Sequence, residues 1–133
     1  MAASPSFIAA PRVGVGQVDT AQTARTTGTT SNVVDVLSAG TNGTRILEVA
    51  VKATDDPADC CVVLWLHDGV STNYVFDEID LGNPAAGSAT VPSARSTVTY
   101  SNLVLPSGWK LQASITATTT AGKVNVVALG GNL

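Results

Sequence analysis

Trp109-Lys110-Leu111-Gln112-Ala113-Ser114-Ile115-Thr116-Ala117 alternates apolar and polar side chains without a break. A period of two places alternate side chains on opposite faces of an extended chain, and no helix satisfies it. The stretch predicts a half-buried β-strand, with Trp109, Leu111, Ala113, Ile115 and Ala117 turned to a core.

Moving outward, Pro106-Ser107-Gly108 is a turn and Leu103-Val104-Leu105 a short strand before it. After Ala121-Gly122, Lys123 to Leu129 predicts a closing strand, which Gly130-Gly131 is expected to end. Upstream, Ala89 to Tyr100 contains Pro92, which argues for an edge position or two short pieces because proline gives no N–H to a ladder. Asn83-Pro84 to Ser88 reads as a loop. Asn73 to Leu81 pairs with Cys60 to His67 across the Asp68-Gly69 turn, whose residue types supply positive φ. Cys60, Val62, Leu64 and Leu66 face one way and Cys61, Val63, Trp65 and His67 the other. Both faces are mostly apolar, so this strand is expected to be central. Asp55-Asp56-Pro57 forces a loop. Before it, Arg45, Leu47, Val49, Val51 and Ala53 alternate with Ile46, Glu48, Ala50, Lys52 and Thr54.

Strands separated by turn signals every eight to twelve residues or so, with no helical period, predict an all-β fold: a two-sheet β-sandwich of jelly-roll type. Residues 1–43 are rich in Ala, Thr, Ser and Gly and carry few large side chains. They read as an extended N-terminal arm, with short strands at Arg12 to Val18 and Asn32 to Leu37 and a featureless polar run from Thr20 to Thr30. Residues 44–133 make the sandwich.

The chain has 133 residues, 44% hydrophobic but only 5% aromatic and 13% charged, with a formal net charge of -3. That acidic balance gives no attraction to a phosphate backbone, so nucleic acid is not an expected partner. The apolar run Val62 to Leu66 is far short of the ~20 residues that span a bilayer. No charged segment followed by an apolar core marks Met1 to Arg12 as a secretory signal, so a cytoplasmic site of assembly is expected.

Chemistry-bearing residues are sparse. His67 is the single histidine, and its position before Asp68-Gly69 reads as a strand-end side chain bonded near a turn, not a catalytic base. Asp55, Asp56 and Asp59, and then Asp77, Glu78 and Asp80, could offer oxygens to a hard cation, but their spacing fits no calcium loop and strand alternation splits the second group between faces. Gly14-Val15-Gly16 lacks the third glycine and the helix of a phosphate cradle. Asn42-Gly43-Thr44 is a glycosylation sequon that reads as a turn before a strand. Cys60 and Cys61 point to opposite faces and are poorly placed to pair, leaving small packed thiols or a crosslink to a neighbouring subunit. No enzyme activity, cofactor or metal is expected.

Five stretches carry a family resemblance: Thr44-Arg45-Ile46-Leu47; Val63-Leu64-Trp65-Leu66-His67-Asp68-Gly69; Phe76-Asp77-Glu78-Ile79; Leu103-Val104-Leu105-Pro106-Ser107-Gly108-Trp109-Lys110-Leu111; and Val124 to Gly131. Over about two thirds of the chain the sequence resembles small virion proteins of tailed bacteriophages. The resemblance implies a capsid decoration or cement protein: a β-sandwich that assembles as a homotrimer on the capsid surface and bridges neighbouring copies of the major capsid protein. It implies subunit contacts through Arg12, Val13 and Val15 of the arm and through Cys61, Val63 and Trp65. A tail, collar or head-fibre component, or a carbohydrate-binding sandwich using Trp109, are the alternative readings.

Overall fold

The computed structural model describes residues 8–54, 59–82 and 87–133. Among them the chain forms β1 (Ala10–Val18), β2 (Val34–Ser38), β3 (Thr44–Ala53), β4 (Cys60–His67), β5 (Asn73–Gly82), β6 (Arg95–Leu105), β7 (Lys110–Ile115) and β8 (Val124–Asn132). No helix among the described residues is long and apolar enough to cross a membrane. Two four-stranded sheets pack face to face, sheet A in the order β1-β8-β3-β6 and sheet B in the order β2-β7-β4-β5. Neighbouring strands are antiparallel throughout. The pairs are nested: β4 with β5, β3 with β6, β2 with β7 and β1 with β8.

The core between the sheets is built mainly of valine, leucine, isoleucine and alanine from the inward positions, with Ile46, Val49, Val62, Leu64, Ile115 and Val126 completely enclosed. Aliphatic side chains of this size each contribute about 1.5–3 kcal/mol on burial.

Four sequence expectations change. Residues 10–38 do not form an arm outside a 44–133 domain: β1 pairs with β8 over its whole length, and β2 pairs with β7. The physical reason is at Gly14 and Gly16. A Cβ on Gly14 would fall inside contact distance of Val36 O and 2.7 Å from Leu37 Cβ, and one on Gly16 would fall 2.9 Å from Val36 Cγ2. Missing side chains, read in the sequence as missing anchors, let β1 settle onto β2 and close this edge of the sandwich. Arg12 fastens the corner, donating to Asn132 Oδ1 and to Ser38 O, both at 3.0 Å. Residues 1–7 of the expected arm lie outside the described residues, as do the loop positions 55–58 and 83–86.

In β3 a bulge between Ile46 and Glu48 breaks the expected alternation. Ile46 turns into the core with Val49, Val51 and Ala53, while Leu47 faces solvent. A bulge sets two residues against one on the partner strand, which re-aims the side chains beyond it. Gly130 and Gly131 continue β8 instead of ending it. A Cβ on Gly130 would run into the carbonyl of Arg45, so glycine is what permits β8 to lie between β1 and β3 there. The expected break between Ala89–Tyr100 and Leu103–Leu105 is also absent, since β6 runs through both as the edge of sheet A, with Pro92 ahead of it. Opposite the β1 edge, Tyr100 OH donates to Asp77 Oδ2 at 2.6 Å and its ring lies 5.7 Å from Phe76, joining β6 to β5.

Gly14→Ala is expected to destabilise the protein by about 2 kcal/mol, as overpacking does, seen as a lower midpoint in urea unfolding. An unchanged midpoint would show that β1 can retreat from β2 without loss.

Candidate interaction surface

The outward faces of the two sheets have opposite fates. On sheet B, outward positions of β4 carry Val63 and Trp65, both 0% exposed although neither belongs to the core between the sheets. Residues 19–33 cover them. This strap joins β7 through a parallel bridge of Ala21 to Ile115, with Gln22 N–H donating to Ile115 O at 2.7 Å. It then reaches β5, where Arg25 Nε meets Glu78 Oε1 at 2.5 Å and Gly28 N–H donates to Asn73 O at 3.1 Å. β4 lies between β7 and β5, so the strap passes over it. Beneath, the Trp65 indole donates to Ser114 Oγ at 3.0 Å, and Asn73 Nδ2 donates to Thr29 O at 2.5 Å and to Gln112 Oε1 at 3.4 Å. Ser114 and Gln112 are buried as well, so β7 is buried on both faces instead of the one its alternation predicts.

Val63 and Trp65, expected at a subunit interface, are therefore enclosed by their own chain. Cys61 sits half-buried at the end of the same face, its N–H donating to Thr116 Oγ1 at 2.9 Å. Cys60 lies in the core. Burial, followed by neighbouring Cys61 and the carboxylates of Asp80 and Asp59, pushes its thiol up to about 11. Arg12, expected to reach another subunit, is engaged at the corner described above.

Sheet A has no such cover among the described residues. Its strand register sets three rows across β1, β8, β3 and β6: Val13–Leu129–Glu48–Thr99, Val15–Val127–Ala50–Thr97 and Gln17–Asn125–Lys52–Arg95. Val13 is 63% and Val15 56% exposed, Leu129 and Leu47 are exposed beside them, and Val127 and Ala50 are half-buried. An exposed aliphatic block of this kind on a sheet face makes it the candidate interaction surface. Val13 and Val15, which the sequence singled out, lie on this face; Leu129, Val127, Glu48 and Lys52, which it did not single out, share their rows, and the visible signal for β8 was that both its alternations, Val124-Val126-Ala128 and Val127-Leu129, are apolar.

The remaining candidates resolve into local structure. His67 Nδ1 accepts the Gly69 N–H at 2.9 Å. Asp68 Oδ1 accepts the N–H groups of Val70, Ser71 and Thr72 at 2.8–3.1 Å, fixing the β4–β5 turn. Glu78 pairs with Arg25, and Asp80 Oδ1 accepts the Gly82 N–H. Asp59 is exposed, while Asp55 and Asp56 lie outside the described residues. Among the described residues no three histidine, cysteine or acidic side chains converge as metal ligands. Trp109 packs against the core. In the sequon, Thr44 is buried and its hydroxyl donates to Asn132 Oδ1 at 2.8 Å.

Comparison of the chain with protein-family models, curated proteins and solved structures returns no match.

Two outcomes test this surface description. Asn73→Ala removes the side-chain bond to Thr29 O at the far end of the strap while leaving the backbone bond from Gly28, so tryptic cleavage after Arg25, followed by mass spectrometry, is expected to accelerate several-fold; an unchanged rate would mean the Asn73 side chain does not hold the strap down. The second concerns acid. Three backbone N–H groups hold the Asp68 carboxyl below its ordinary value of 3.8, and the Gln112 amide, then Lys110, do the same for Asp35. A carboxyl depressed on folding binds fewer protons in the folded state, so its contribution is present above the unfolded value and lost as pH falls through the folded one. Stability in urea is expected to drop below about pH 4, and less steeply in Asp68→Asn than in the parent.

Proposed function

We propose that the protein is a structural subunit of a bacteriophage particle, one that decorates the capsid and stabilises it by bridging neighbouring capsid subunits. The observation that carries the reading is the imbalance between its two outer faces: one is sealed by the chain's own strap, and the other presents an aliphatic block on a rigid sheet. A protein that works by burying surface needs such a face.

Two further points support the setting. The nested order β1-β8-β3-β6 and β2-β7-β4-β5 supports a jelly roll of two interleaved Greek keys, an architecture that viral capsid domains use. Since many unrelated proteins share that architecture, the phage assignment leans on the sequence resemblance. The stretches carrying it fall on β3, on the β4–β5 hairpin, on the β6–β7 turn and on β8.

The test is to locate and count the protein in purified phage particles by electron microscopy and gel densitometry against the major capsid protein. Decoration predicts copies in proportion to the capsid lattice. A handful at one vertex would assign it to the tail or collar instead, and absence from particles would overturn the structural reading.

A further inference from the structure

We infer that a second copy of this chain packs on the bare outer face of sheet A, the two faces meeting about a twofold axis. The inference rests on the reading of that face as an assembly surface and names its occupant. It sets a dimer against the trimer that the sequence resemblance implies.

The argument starts from charge placement. On β3, Glu48 and Lys52 stand two residues to either side of Ala50 and share the outward face. Four residues of strand separate them by about 13 Å, too far to pair with each other; neither enters an ion pair among the described residues, although the Lys52 ammonium donates to Ser93 O at 3.0 Å. Consider a twofold axis lying across the strands along the Val15–Val127–Ala50–Thr97 row. That row stacks on itself, and the rows on either side exchange places. Glu48 of each copy then lies over Lys52 of the other, twice, and Thr99 meets Arg95. Val15 and Val127, the centre of the apolar block, meet their own counterparts, while Val13 and Leu129 lie over Gln17 and Asn125 of the other copy. Two sheets packed this way lie in the aligned arrangement common to sandwiches, about 10 Å apart.

The charges also disfavour the adjacent register toward the start of β3. Moving the axis half a row toward the start of β3 brings Lys52 over Arg45 of the second copy, because Arg45 occupies the next outward row. Like charges facing each other in this way are unfavourable. The bulge that turns Leu47 outward beside Glu48 adds apolar surface without disturbing the alternation from Glu48 to Lys52.

Size is adequate. Four strands about 4.8 Å apart and about nine residues long at 3.3 Å per residue give a face of roughly 550 Å², hence roughly 1,100 Å² buried in total, just above the ~1,000 Å² expected of a specific interface. An interface of that size, edged by ion pairs, dissociates measurably on dilution and is weakened by salt.

Sedimentation or light scattering over a concentration series tests the inference, using the parent protein, Glu48→Lys, Lys52→Glu and the double exchange of both. Both substitutions sit on the outward face of a sheet, and circular dichroism checks that each variant is folded. A dimer is expected for the parent, with each single reversal weakening it at least about tenfold and the double exchange restoring most of the loss, since complementary charges are then regained. A parent that stays monomeric, a mass of three chains, or a dimer indifferent to the single reversals would overturn it. The outcomes separate from those for the particle assignment. A monomer that still loads onto particles, and loses that ability in Val15→Asp, overturns the dimer alone. A charge-sensitive dimer absent from particles overturns the particle assignment alone.

Discussion

How near β1 can come to β2 governs the rest of the molecule. The two strands belong to different sheets, and at Gly14 and Gly16 nothing but backbone stands between them and the Val34–Leu37 segment. With that approach in place, Val18 reaches the core and β1 lines up against β8 along nine residues. The connection from β1 to β2 must then travel from sheet A to sheet B, and residues 19–33 do so across the outside of sheet B. The strap is thus a consequence of where β1 ends. Its cover over Val63 and Trp65 makes the inner strands of sheet B buried on both faces, which is why a sequence so poor in aromatics can enclose one tryptophan completely.

The strap is held by modest forces. Arg25 and Glu78 are both well exposed, and exposed pairs contribute about 0–1 kcal/mol. Asn73 supplies two donors, but its Oδ1 is buried with no partner, and an orphan acceptor costs about 1–3 kcal/mol. What keeps the strap down is the apolar surface beneath it. Lifting it would expose Val63 and the whole face of Trp65 and leave Ser114, Gln112 and Asn73 without their present neighbours. Sheet A has no comparable cover among the described residues.

The periodicities of β3 to β8 were legible in the sequence, and so were the central place of β4 and the edge position of β6. Alternation is dictated by the same burial that makes the sheets, so it survives in the residue order. Three features were not legible. The Gly14–Gly16 contact depends on residues some twenty positions away, and a glycine that makes room is indistinguishable in sequence from one that loosens a chain. The Ile46–Glu48 bulge changes the face of one residue without altering composition. The strap is a run of Thr, Ala, Gln and Gly with no period, because its order comes from backbone bonds to β7 and β5 rather than from an apolar stripe of its own. For the same reason the exposed face of sheet A was half visible: Val13 and Val15 stood out as apolar residues in a weak segment, whereas Glu48 and Lys52 acquire a place only when the register sets them in rows beside Val127 and Leu129.

The edges of the two sheets bear on how this molecule can meet others. An open strand edge invites pairing with another chain, and soluble sandwiches blunt it. Here β2 is five residues long and bulged between Asp35 and Leu37. β5 carries Asp77, Glu78 and Asp80 along its length, and β6 is irregular against β3 and bears mostly Ser, Thr, Asn and Arg. β1 begins with Pro11 in its second position and is shielded by its contact with β2. Each edge thus has a feature that disfavours sheet extension, and one face is already covered. The surface left for ordered contact is a face whose strands are long, whose centre is aliphatic and whose charges are arranged in opposite-sign positions about Ala50. Growth by strand addition would be open-ended, whereas a face used against its own twofold image closes after two copies. An arrangement that suppresses the first and leaves the second gives a discrete building unit, which is what a component placed at defined positions on a larger shell requires.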